Sequence, residues 1–207
     1  MSGHQLLLVA DLADGFGDGR VAATAQQKLI VTGVDPKRAE ELVAELDALD
    51  LAARPSPFRK GMIACTGIEF CKLAIGETKG RARWLAEELD ARLPGMEEEV
   101  RIHVNGCPNS CARFQVADIG LMSALMRRPD GTKSDAFLVH LGGTLGCDDG
   151  GFGRKVRGVK VFAEDAADYV EALVRRYLRL RSDGDTFSSF VRTLSDEELT
   201  RFARAGT

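Results

Sequence analysis

Cys65-Thr66-Gly67-Ile68-Glu69-Phe70-Cys71 and Cys107-Pro108-Asn109-Ser110-Cys111 are the two stretches on which the reading of this 207-residue chain turns. The first pair of cysteines encloses five residues, the second encloses three, and 35 residues separate the pairs. Two close pairs brought together by a fold supply four thiolates, and soft thiolates suit iron–sulfur clusters or zinc. Structural zinc sites favour the shorter C-x2-C to C-x4-C spacings in small modules, and the first pair here is wider. Spacing alone leaves open a 4Fe–4S site, a zinc site and thiols with no ligand. Cys147 stands apart and reads as a buried or incidental thiol. Cys71 precedes Lys72 to Leu93, which carries Leu73, Thr78, Ala82, Leu85, Leu89 and Leu93 on one face and charges on the other. That pattern predicts a long amphipathic helix whose N-terminal N–H groups would face an anionic thiolate–sulfide cluster.

Working outward, the composition is that of a folded protein. The chain is 44% hydrophobic and 29% charged, which excludes a disordered tail, and no long uncharged apolar run suggests a membrane span. A net charge of −3 offers no general attraction to nucleic acid or anionic lipid. Glycine is in excess, 22 residues of 207, which suggests backbone packed close to something rather than linkers. The first residues show none of the usual export signals, so the expected compartment is the cytoplasm, and the odd number of cysteines argues against full disulfide pairing.

The chain reads as α+β. Residues around Leu8 and Leu12 predict a helix ended by Gly15–Gly19, followed by strands at Arg20–Thr24 and Gln27–Val31. Asp35-Pro36 opens a helix running to about Leu49. Arg54 to Pro57 reads as a linker, because two closely spaced prolines resist both helix and central strand. Beyond it, Arg101–Val104, Gln115–Met122 and Ala136–Leu141 are predicted strands, Glu164 to Arg181 a helix, and Ser195 with Glu198 a capping box for a short last one. The expected division is a ferredoxin-like half-domain over 1–55, a mixed-sheet cofactor domain over 56–182 and a helical tail over 183–207.

Met62-Ile-Ala-Cys-Thr-Gly-Ile-Glu-Phe-Cys-Lys-Leu73 and Val104-Asn-Gly-Cys-Pro-Asn-Ser-Cys-Ala-Arg113 together resemble the assimilatory nitrite and sulfite reductase family. Val116–Gly120, Val139–Gly143 and Phe152–Lys155 are similar to the ferredoxin-dependent, actinobacterial-type members, and Thr24–Val31 resembles the family's half-domain motif. The resemblance implies that Cys65, Cys71, Cys107 and Cys111 hold a 4Fe–4S cluster and that Cys111 also bridges to siroheme iron. Asn109 and Arg113, beside the last thiol, are implied cofactor contacts, as are Gln27 and Lys28 in the half-domain motif.

Residues Gly142 to Gly153 hold six glycines, and Arg154, Lys155, Arg157 and Lys160 follow with no acid between them. No nucleotide-binding glycine pattern is present. A flat macrocycle rimmed by carboxylates explains the run better, which makes Gly142, Gly143, Arg154 and Lys155 candidate siroheme contacts. His103 and His140 read as strand residues rather than ligands.

Full-length members of the family carry two pseudo-symmetric copies of this unit, and the chain resembles the second. The resemblance thus implies an oxidoreductase portion that takes electrons from ferredoxin and reduces nitrite to ammonia or sulfite to sulfide. Its substrate side would come from the missing first half, a partner chain or a homodimer. A stand-alone siroheme protein, a non-catalytic electron-transfer or cofactor-holding module, and a precorrin-3B synthase-like enzyme are the alternatives.

Overall fold

The computed structural model describes residues 1–145 and 150–204. They divide into two units, with the boundary between Pro55 and Ser56.

In the first unit, α1 (Gly3–Phe16) starts in a reciprocal cap, the Gln5 N–H donating to Ser2 Oγ and the Ser2 N–H to Gln5 Oε1. β1 (Val21–Ala23) and β2 (Leu29–Val31) form an antiparallel hairpin. Asp35 accepts from the Lys37 N–H and starts a 3-10 turn, Pro36–Arg38, that leads into α2 (Ala39–Ala48). Val9, Ala13 and Leu42 are its buried apolar residues.

The second unit opens with α3 (Pro57–Gly61), which begins at the last residue of the Arg54–Pro57 linker. Ser56 caps it by accepting from the Arg59 N–H, and Pro57 occupies a first-turn position where a missing N–H costs nothing. Then follow β3 (Met62–Ala64), α4 (Lys79–Arg92), β4 (Ile102–Asn105), β5 (Ile119–Arg127), β6 (Lys133–Leu141), β7 (Arg154–Phe162), α5 (Ala166–Leu180), α6 (Phe187–Thr193) and α7 (Asp196–Arg204). The strands form one mixed sheet in the order β3-β4-β5-β6-β7, with β3, β4 and β5 parallel and β6 and β7 antiparallel to their neighbours. The α+β expectation therefore holds.

One local expectation does not, and two elements were not foreseen. The long helix predicted from Lys72 begins only at Lys79, with residues 72–78 in turns. Ala82, Leu85, Leu89 and Leu93 do form its buried face and its end, whereas Leu73 is two-thirds exposed. The basic run, for which the sequence suggests no strand, is the edge strand β7, in which Val156, Val159 and Val161 are buried while Lys155, Arg157 and Lys160 are exposed. α6 had no sequence expectation, although Thr186 and Ser189 cap it reciprocally.

The core of this unit joins Ile102, Val104, Ile119, Leu121, Val139 and Leu141 from the sheet to α4, α5, α6 and α7. The region from 183 onward supplies part of that core: the Tyr177 ring lies 5.2 Å from Phe187, and Phe190 stands 5.5 Å from Phe202. Arg92 on α4 clamps α5 through Asp168 and Glu171.

Candidate cofactor site

Cys65 directly follows β3, and Cys107 lies two residues beyond the end of β4. The two strands are parallel neighbours in register, Ala64 opposite Val104, so both thiol-bearing loops leave the sheet at the same edge. The carboxyl ends of adjacent parallel strands are a favoured place for ligands, because the chain must turn away there and leaves backbone groups pointing outward.

The loops are tied to each other. The Cys65 N–H donates to Val104 O at 3.1 Å and the Ile75 N–H to Gly106 O at 2.7 Å. The Gly106 N–H points at the Cys65 sulfur at 3.1 Å. A Cβ at position 106 would stand 2.9 Å from the Ala74 Cβ and 3.4 Å from that sulfur, so only glycine lets the loops approach this closely. Cys71 is held by its N–H to Gly67 O at 3.0 Å. It lies in turns rather than at a helix start, which corrects the helix-dipole expectation: the N-terminus of α4 is occupied by the Glu77 carboxylate, which accepts from Gly80 and Arg81.

The second loop is stapled from inside. Asn105, fully buried, donates through Nδ2 to Cys107 O and accepts the Ala112 N–H at 2.7 Å. The turn within it needs left-handed backbone at Ser110 and Arg113, and the Arg113 N–H closes it on Ser110 O at 2.7 Å. His103 lies beneath, its Nδ1 3.0 Å from Arg113 O. Cys107 is buried, whereas Cys111, Pro108 and Asn109 are exposed on the outer side of the turn.

These features bear on which group the thiols would hold. Among the described residues no three His, Cys, Asp or Glu side chains converge on a single-ion position. A cubane cluster asks for something else, one thiolate on each of several irons and N–H donors to the sulfurs. The Gly106 N–H aimed at Cys65 is such a donor, and the residues present fit a cluster in this respect.

Behind the turn, Asp118 is buried and accepts from the Arg101 guanidinium twice at 2.9 Å, from the Arg101 N–H at 2.8 Å, and from Ser188. The carboxylate raises the Arg101 guanidinium above its already high value. Ser188 also donates to Gly143 O at 2.7 Å, and the Gly142 N–H donates to Asp118 O. Gly142 and Gly143 were expected to meet a macrocycle; what their missing Cβ atoms admit is the chain itself. A Cβ on Gly143 would fall 2.2 Å from Gln115 O, and one on Gly142 would fall 2.7 Å from Val191 Cγ1. Arg154 is committed to Val191 O at 2.7 Å and to Asp196 at 3.1 Å. Lys155, by contrast, is exposed and sits opposite His140 in the ladder.

His103, Gly120 and His140 are aligned across β4, β5 and β6, on the sheet face that the turn 113–116 covers. The Phe114 ring stands edge-on to His140 at 4.7 Å. Nδ1 of His140 is buried without a partner, and burial together with the Lys155 charge holds its pKa at about 4. Burial also lowers His103 from its ordinary value. Between about pH 4 and the ordinary 6.5 the unfolded chain therefore binds more protons than the folded one, and stability rises with pH across that window. Thermal unfolding followed from pH 7 down to 4.5 should show a falling midpoint. His140→Gln should flatten that slope and leave the His103 share; an unchanged slope would refute the assignment.

Gln27 and Lys28 belong to the first unit, in the turn between β1 and β2. Gln27 adopts left-handed backbone, and the Lys28 N–H donates to Thr24 Oγ1 at 3.1 Å. Cys147 lies outside the described residues. Sequence reasoning missed Asn105, Thr78 and Asp118, the residues that hold the loops. The usable signals were an asparagine at a strand end two places before a cysteine, and a lone acid inside a run of apolar residues.

Two loops that carry four cysteines leave the sheet at the ends of neighbouring strands, and thiolates are soft ligands. The comparisons with known proteins name the family. Residues 1–49 match the model of the nitrite/sulfite reductase ferredoxin-like half domain, and residues 60–194 that of the nitrite and sulphite reductase 4Fe-4S domain. The chain belongs to the nitrite and sulfite reductase family. It is 47% identical over 203 residues to sulfite reductase (ferredoxin) 1 of Mycolicibacterium paratuberculosis, covering 96% of this chain and 36% of that protein. It is 42% identical over 142 residues to the chloroplastic ferredoxin–nitrite reductase of Zea mays, covering 68% of this chain and 25% of that one. The structure of the Mycobacterium tuberculosis NirA protein superposes with a TM-score of 0.89 at 41% identity, over 96% of this chain and 37% of the other. The chain thus spans about a third of the length of the full-length relatives it matches. The cofactor class that follows from family membership is a 4Fe–4S cluster with siroheme. Among the described residues no helix is long and apolar enough to cross a membrane.

Proposed function

We propose that this chain is the cluster- and siroheme-holding portion of a cytoplasmic, ferredoxin-dependent reductase of nitrite or sulfite. The observation that carries the reading is the joining of the two thiol loops at Gly106, where a backbone N–H already points at the Cys65 sulfur. In this reading Cys65, Cys71 and Cys107 ligate the cluster, and Cys111, exposed on its turn, serves both cluster and siroheme. When bound, the two cofactors supply one-electron transfer and an open iron position for the anion. The chain's own residues bind and orient. Asn109 and Arg113 flank the last thiol, and Lys155 presents a cation to rim carboxylates; Gln27 and Lys28 are proposed as cofactor contacts on their resemblance to the half-domain motif alone. Arg154, Gly142 and Gly143 act from behind, by fixing the loop that carries them.

The chain covers 36% of the sulfite reductase it matches, and in this reading the anion-binding side lies outside these 207 residues. The test is anaerobic expression with siroheme supplied, followed by absorption spectra and iron and sulfide counts. Nitrite and sulfite are then assayed separately with reduced methyl viologen, with and without the complementary half. Iron, sulfide and siroheme together are the expected result. Zinc in place of iron would overturn the reading, and a cluster without siroheme would favour the cofactor-holding module.

A further inference from the structure

Thr78, one of the residues that hold the loops, is fully buried and meets Cys65 at two atoms. Its hydroxyl donates to the Cys65 carbonyl at 2.7 Å, and Oγ1 stands 3.8 Å from the Cys65 sulfur. It occupies the position just before α4, where a threonine ordinarily spends its oxygen on the helix's first N–H groups. Here it makes no such bond, because the Glu77 carboxylate takes those donors. The hydroxyl reaches back thirteen residues instead. The first loop is shaped to receive it: a Cβ on Gly67, which has a φ of +76°, would fall 2.6 Å from Thr78 Oγ1.

We propose that Thr78 is a positioning residue for Cys65, fixing its peptide and standing a hydroxyl beside its sulfur, and that it thereby helps set the reduction potential of the cluster bound there. The proposal rests on the cluster reading and goes beyond the ligand set. The Gly106 N–H is aimed at the sulfur at 3.1 Å, and the Thr78 hydroxyl, by bonding the Cys65 carbonyl with its own oxygen 3.8 Å from that sulfur, keeps the thiolate in line with this donor. Donors directed at cluster sulfurs favour the more negative, reduced state and so raise the potential. Valine keeps the shape of threonine and removes the hydroxyl; serine keeps the hydroxyl and removes the methyl.

The experiment compares wild type, Thr78→Val and Thr78→Ser as full chains, loaded anaerobically. Iron and sulfide are counted, and the midpoint potential is read from an electron paramagnetic resonance titration. We expect Thr78→Ser to match wild type and Thr78→Val to shift to a more negative potential. A Thr78→Val chain with wild-type iron content and potential would overturn the proposal. If Thr78→Val holds no cluster, serine decides: retention at the wild-type potential supports the hydroxyl's role, and equal loss assigns the effect to packing and overturns it. A wild-type chain that takes up no cluster defeats the cluster reading itself, and this inference with it.

Discussion

Asn105→Asp should sharply weaken cofactor retention, although the two side chains have nearly the same shape and Asn105 bonds backbone rather than thiol. Asn105 acts inside the second loop as donor to Cys107 O and acceptor from Ala112 N–H, a pairing that needs both halves of an amide. Aspartate can still accept from Ala112, but it turns an oxygen toward the Cys107 carbonyl and buries a charge in a fully inaccessible site. Outer residues that orient metal ligands are typically worth about 10–100-fold in affinity, and a loss of that size is expected in cluster retention under chelator challenge. Asn105→Ala leaves the two backbone groups unpaired, at about 1–3 kcal/mol each. Iron retained at the wild-type level in both variants would show that the turn holds without its staple.

Asp118→Ala should produce the largest loss of stability outside the apolar core. It strips the Arg101 guanidinium of its partner and frees both the Arg101 N–H and Ser188. Removing one partner of a buried pair costs about 3–5 kcal/mol; with the Arg101 side chain 30% exposed, the lower end applies. Urea unfolding followed by fluorescence of Trp84, the single tryptophan, which packs against the core, measures it. Asp118→Asn, which keeps a side-chain acceptor, should fall between alanine and wild type. A loss below about 1 kcal/mol for alanine would mean that the network is solvated rather than supporting.

The thiol loops, the first-unit elements and the helix at 166–180 are legible because each is punctuated locally, by cysteine spacing, by Asp35-Pro36, or by apolar residues at helical intervals. The stretch 72–78 misleads because its apolar residues continue the period of α4 backward. The competing term is tertiary: Thr78 turns to Cys65 and Glu77 caps the helix, so the turn stops where those bonds begin. β7 is disguised by its charges and by Gly158 at φ +73°, which interrupts the alternation of buried valines. The glycine excess was read as a surface for a macrocycle. At Gly106 and Gly143 it serves the chain's own loops, which composition cannot distinguish from a ligand.

The sheet order also has a temporal side. All four paired thiols have been synthesised by residue 111, and the strands that precede them by residue 105. Ser188, which ties Asp118 to Gly143 behind those loops, emerges 77 residues later (188 − 111). During synthesis the thiols thus precede Ser188, the residue that links Asp118 to Gly143 behind their loops.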